Sequence, residues 1–205
     1  MGNILLVISL SHTLVPIGAI KCALGEESAD IIIRSASIVN VFTEEIIEAD
    51  IAVKDGFIAR IGNTSDLRGE RTKILDADGL YAVPAFIDAH IHVESSMLCL
   101  TEFARTIIPH GTGSIITDFH ELANVLGVKG LMIILDEAKR LPINVFIMAP
   151  SCVPAAPGVD TAGSNIGPKD IETLMDMEEI LGLGEMMNYP GVLSCSADVL
   201  SLIHI

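Results

Sequence analysis

His90 and His92 stand two residues apart in Asp88-Ala89-His90-Ile91-His92, at the end of an apolar stretch that begins at Ala85. If that stretch is a β-strand, its period of two points both imidazoles to one face. Two imidazoles converging on a common face form half of a site for a divalent metal. The same pair could be solvated histidines at a strand end. Their place on the strand that opens a βα series favours the metal reading, because loops at the C-terminal mouth of a barrel carry its chemistry.

Other candidates follow along the chain. Glu94 comes just after, ahead of Ser95-Ser96. Asp118-Phe119-His120-Glu121 closes a second apolar stretch. Asp118 and His120 share a face if the strand extends that far, and could ligate a metal, orient a ligand histidine or touch substrate. They could equally form a polar helix start, with Asp118 as its cap. Glu185 ends a fourth stretch, within Gly182-Leu183-Gly184-Glu185-Met186-Met187-Asn188. On the same mouth it could ligate or bridge metal; its glycine neighbours also suit a plain turn.

The elements that must hold these residues fall into two regions. From Ala29 to about Val83 the pattern predicts short strands at 30–34, 46–53, 57–61, 73–76 and 80–83. Asp55-Gly56 is set for a hairpin turn, and the whole reads as a small antiparallel β unit, an incomplete sandwich over residues 29–84. After Pro84, strands at 85–91, 113–118, 143–148 and 180–185 alternate with helices. Thr101 is placed to cap a helix running to Ile108, and a second helix is predicted over Gly127–Leu141, with Val128, Leu131, Leu135 and Ala138 on one face. Pro168 opens a third, after a long polar loop from Pro154. About four βα units over 85–205 predict an α/β fold with parallel strands: half of a (β/α)8 barrel, or a small open sheet.

Composition narrows the function. There are 27 acidic against 12 basic residues, a formal charge of −15, and no basic stripe, which argues against a polynucleotide partner. Cys22, Cys99, Cys152 and Cys195 are scattered without a C-x-x-C pair, so neither a zinc knot nor a disulfide framework is expected, and a cytoplasmic setting is. Residues 1–28 read as an apolar leader. No Lys or Arg precedes its core Ile4-Leu5-Leu6-Val7-Ile8, and Ser9, Ser11, His12 and Pro16 interrupt it, which counts against a signal peptide or a membrane span.

Five stretches in order, the first two sharing His92, resemble one family. Pro84-Ala85-Phe86-Ile87-Asp88-Ala89-His90-Ile91-His92 resembles the first barrel strand of the metal-dependent amidohydrolases. His92-Val93-Glu94-Ser95-Ser96-Met97, Asp118-Phe119-His120-Glu121-Leu122-Ala123-Asn124, Ala149-Pro150-Ser151-Cys152-Val153-Pro154-Ala155 and Gly184-Glu185-Met186-Met187-Asn188-Tyr189-Pro190-Gly191 are similar to the adenine deaminase branch. The likeness runs from about Ile20 to about Leu200.

The resemblance implies metal-dependent hydrolytic deamination of adenine to hypoxanthine and ammonia, in purine salvage. It implies a (β/α)8 barrel, with His90, His92 and Glu185 as metal ligands. Glu94, Asp118 and His120 stand in motifs of this branch and are expected in the site beside Glu185. Manganese or iron is the expected metal, and zinc is compatible with the donors. Adenine is the expected partner, with no membrane and with homo-oligomers possible through unpaired strand edges. Phe119 replaces a proline usual in the family. Family members continue through four further strands with more ligands, so the chain is expected to be a catalytically incomplete fragment that deaminates adenine negligibly alone.

Two other readings stand beside this one. A dihydroorotase or hydantoinase type shares the H-x-H strand but places a lysine where this chain has Glu185. A non-enzymatic remnant is the other. The cytidine-deaminase pattern, H-x-E with P-C-x-x-C, is not present.

Overall fold

The computed structural model describes residues 15–205, so the first half of the expected leader, including Ile4–Ile8, lies outside it. The chain divides into two compact units that meet in sequence at Pro84 and Ala85.

In the first unit, α1 (Ile17–Leu24) is followed by β1 (Ile31–Asn40), β2 (Glu45–Lys54), β3 (Phe57–Gly62), β4 (Lys73–Asp76) and β5 (Tyr81–Ala82). Part of the stretch expected as leader is therefore helix. Cys22 of α1 is buried with Ala29, Ile32, Ala52 and Leu67 in a small core. The β2–β3 turn falls on Asp55 and Gly56 as expected, both with positive φ (52° and 78°), the geometry that matches the twist of a tight hairpin.

The unit is not purely antiparallel. The sheet order is β3-β2-β1-β4, with β5 also on β1. Both β4 and β5 run parallel to β1. The polar segment after β3 is long enough to carry the chain across and enter on the far side of β1, which a tight turn cannot do. β1 also outruns its expected length. A bulge between Ile33 and Ala36, with Ser35 at φ 58°, breaks the alternation on which a strand is recognised. The Ser35 amide donates to Asp50 Oδ1 at 2.9 Å and secures that bulge.

The second unit contains β6 (Phe86–Ile91), α2 (Leu100–Ile107), β7 (Thr112–Asp118), α3 (His120–Leu126), α4 (Val128–Ala138), β8 (Asn144–Ala149), α5 (Pro168–Met175), β9 (Ile180–Leu183), α6 (Tyr189–Leu193) and α7 (Ala197–Ser201). The four strands form one parallel sheet in the order β6-β7-β8-β9. Its helix-facing side is closed by Ile115 and Ile147 against Leu131, Leu135, Ile171 and Leu174. The predicted face of α4 is the one that packs: Leu131 and Leu135 are buried, and Val128 and Ala138 lie against the same core. The other side is open, leaving Ile87, Phe146 and Leu181 exposed. This is the arc of a partial barrel.

Three local expectations change. The helix predicted from Gly127 to Leu141 is α4, which stops at Ala138; the helix start left open at Asp118–Glu121 is a separate short helix, α3, divided from α4 at Gly127 with φ 62° and ψ −151°, a conformation closed to other residues. Thr101 is not a cap; Cys99 holds that position, and the Thr101 amide and hydroxyl both donate to Glu137 Oε1 on α4, at 2.9 and 2.6 Å. β9 ends at Leu183, which leaves Glu185 on the turn beyond it.

Candidate metal centre

β6 and β9 are opposite edges of the sheet. In a flat sheet three strand spacings would separate them by about 14 Å. Yet His90 Nε2 lies 3.9 Å from Glu185 Oε1, and His92 Nε2 lies 3.2 Å from the same oxygen. The sheet therefore curls as barrel strands do, and side chains from its edges meet over its concave mouth. Among the described residues, His90, His92 and Glu185 offer donor atoms that all lie within 4.8 Å of one another.

His92 is the best anchored of the three. Its Nδ1 lies 2.9 Å from the Asp118 main-chain oxygen, which can only accept, so the ring carries its proton on Nδ1. In the neutral ring this leaves the Nε2 lone pair facing Glu185. The ring also stands edge-on between two others, with centroids 4.9 Å from His90 and 4.6 Å from His120. His90 is looser: its side chain is 61% exposed, against 21% for His92.

Behind His92 lies a buried polar group. The Asp118 side chain is 2% exposed, and neither carboxylate oxygen has a hydrogen-bond partner. His120 Nδ1 approaches one of them at 3.6 Å, longer than a hydrogen bond, and that carboxylate raises the histidine's pKa despite the opposing effect of burial. Glu94 stands on the turn after β6. Its Oε1 accepts the Leu122 amide at 3.2 Å while Oε2 is buried without a partner, and burial pushes its carboxyl pKa up. Next to it, Ser95 Oγ donates to Glu121 Oε1 at 2.7 Å. Two motifs far apart in the chain, around Glu94 and around Glu121, are thus one contact at the mouth.

The donor set fits a divalent ion. Imidazole nitrogens and a carboxylate are the ligands that zinc, iron and manganese share. Donors about 2.1 Å from one ion stand about 3–4 Å apart, as Glu185 Oε1 does from both imidazoles. The unpartnered carboxylate oxygens of Asp118 add negative character beside it. All the residues expected in the site are therefore gathered at one end of the sheet: His90, His92 and Glu185 converge, with Asp118, His120 and Glu94 arranged behind them.

Asp118 does not cap α3; Phe119 occupies the N-cap position with no side-chain bond. Phe119, the departure from the family pattern, is 1% exposed and fills the core beneath the site. Gly184 has a role that a turn glycine would not reveal. A Cβ there would collide with the Asp118 carboxylate and lie 3.0 Å from the Ala149 carbonyl oxygen. Gly184→Ala is expected to lose about 1–3 kcal/mol of stability through this overpacking, since the obstructing atoms include backbone; a thermal melt beside the unaltered chain checks it. Ser151 and Cys152, quoted above only as part of a motif, also reach the turn that carries Glu185.

A family model described as "Amidohydrolase family" matches residues 81–200. The chain is 49% identical over 175 residues to a protein named adenine deaminase from Moorella thermoacetica, covering 85% of this chain and 29% of that one. It is 47% identical over 184 residues to an adenine deaminase from Archaeoglobus fulgidus, covering 90% and 32%. The chain thus spans less than a third of the length of these two relatives. Among solved structures, N-acyl-D-glutamate deacylase from Bordetella bronchiseptica superposes with a TM-score of 0.59 at 20% identity, over 85% of this chain and 42% of that one, a likeness of fold. A parallel sheet curled around an H-x-H strand, and a family match across most of the unit that carries it, lead to one conclusion: this chain belongs to the amidohydrolase family.

Proposed function

We propose that this chain supplies the first-strand and fourth-strand part of the metal site of an adenine deaminase, hydrolysing adenine to hypoxanthine and ammonia. The observation that carries this reading is the convergence of His90, His92 and Glu185 from opposite edges of the sheet. The substrate comes from the named relatives.

A divalent cation held there, manganese or iron in this reading with zinc also compatible, supplies Lewis-acid activation of water near neutral pH. The chain's own residues do the rest. The Asp118 carbonyl fixes His92 in the tautomer that presents Nε2. Glu94, its pKa raised by burial, is suited to hold a proton on Oε2. His120, kept protonated to higher pH by the Asp118 carboxylate, is suited to donate to a ring nitrogen of a purine. We place the protein in purine salvage in the cytoplasm. No described helix is long and apolar enough to cross a membrane.

The test grafts residues 20–200 in place of the matching segment of the Moorella thermoacetica relative. Hypoxanthine formation by the graft, lost on His90→Ala, is the expected result. A graft that folds and binds manganese but turns over hydantoin or dihydroorotate and not adenine would sink the reading.

A further inference from the structure

β8 and β9 separate at the mouth of the sheet, and side chains take over there from the main-chain ladder. The Gly184 amide donates to the Ala149 carbonyl at 2.7 Å. One step further out, Ser151 Oγ donates to the Glu185 carbonyl. The Met187 amide donates to Cys152 Sγ at 3.2 Å, and that thiol in turn faces the Glu185 carbonyl at 3.9 Å. Ser151 and Cys152 are each only 7% exposed. The peptide groups on the C-terminal side of Glu185 are therefore held by two buried side chains from the loop after β8.

We propose that Ser151 and Cys152 are positioning residues for Glu185, clamping its backbone so that its carboxylate meets His92, and so setting the affinity of the metal site. The inference rests on the metal-site reading above. Its physical basis is the freedom of the Glu185 side chain, which is 45% exposed and has His90 and His92 as its ion-pair neighbours. A long, half-exposed side chain is aimed by the backbone that bears it. Here that backbone lies beyond the end of β9, where strand pairing no longer fixes it. Partners that orient ligands without touching the ion typically change metal affinity by about 10–100-fold.

The test titrates the purified chain with Co(II), reading affinity and the visible ligand-field band. Ser151→Ala and Cys152→Ala are each expected to weaken binding about 10–100-fold and to change the band, with the far-ultraviolet circular dichroism preserved. Ser151→Thr and Cys152→Ser, which keep a polar atom in place, are expected to recover most of the loss. A second measurement needs no variant. Coupling is reciprocal, so a clamp that favours the ion must be favoured by it. Saturating Co(II) is expected to slow alkylation of Cys152 about tenfold or more in the unaltered chain, with the exposed Cys99 and Cys195 as internal controls. Co(II) binding with unchanged affinity and band in both alanine variants, or a Cys152 alkylation rate indifferent to bound Co(II), overturns the clamp and leaves the metal reading intact. Failure of the unaltered chain to bind Co(II) at all overturns both.

Discussion

His92→Ala is expected to lower the affinity of the chain for Mn(II) by about a hundredfold or more, a larger loss than His90→Ala produces. Partners that only orient a ligand are worth about 10–100-fold, and on the proposed reading His92 is both a ligand and the best oriented one. Its Nε2 is the closer of the two imidazole nitrogens to Glu185, at 3.2 Å against 3.9 Å. Its Nδ1 is committed to the Asp118 carbonyl. Removing the ring deletes a donor and leaves that carbonyl without its partner, an additional cost. His90 is more exposed and has no comparable anchor, so water can replace it at lower cost. Titration of the Mn(II) aquo-ion signal by electron paramagnetic resonance measures both variants directly. An affinity within twofold of the unaltered chain for His92→Ala would remove that residue from the ligand set.

Leu131→Ala is expected to cost the second unit about 2–5 kcal/mol. Leu131 is fully buried on α4 and belongs to the core that joins the helices to Ile115 and Ile147. The deleted atoms lose their burial and leave a cavity that a close-packed helix–sheet interface cannot fill. Ile133, two residues on along the same helix, is 52% exposed. Ile133→Ala is expected to change stability by no more than about 0.5 kcal/mol. Urea unfolding followed at the helical circular dichroism band separates the two, since six of the seven described helices belong to this unit. Equal effects at the two positions would mean that α4 does not bury the face described above.

Much of this was legible in the residues because the relevant signals are local. The H-x-H spacing at a strand end reports a shared face whatever the rest of the chain does. The 3.6-residue spacing of Val128, Leu131, Leu135 and Ala138 likewise marked the buried side of α4. What could not be read depended on distant partners. The parallel entry of β4 and β5 beside β1 is a matter of topology, which a run of apolar residues does not encode. Thr101 looks like a cap by type, but its hydroxyl is used by Glu137, far along the chain. That α3 is a separate short helix rather than a polar loop depends on seven residues, too few for apolar spacing to decide. In the site, the candidate ligand residues were marked by their type, and the structure brings them together. The clamp did not: a serine and a cysteine in a loop become informative only once their bonds to the Glu185 turn are seen.

The curl that brings His92 and Glu185 together also has a thermodynamic meaning. An ion shared by His90 and His92 at the end of β6 and by Glu185 beyond β9 would act as a cross-link between the two edges of the sheet. A ligand that binds only the assembled form stabilises it by mass action, by about 2.7 kcal/mol when its free concentration is 100 times its dissociation constant. For a sheet with one face open to water, that is comparable to the burial of a large core side chain. On the proposed reading, the metal would be as much a part of the folding equilibrium of this unit as of its chemistry, and the concentration of available cation would be a variable of state for the fold.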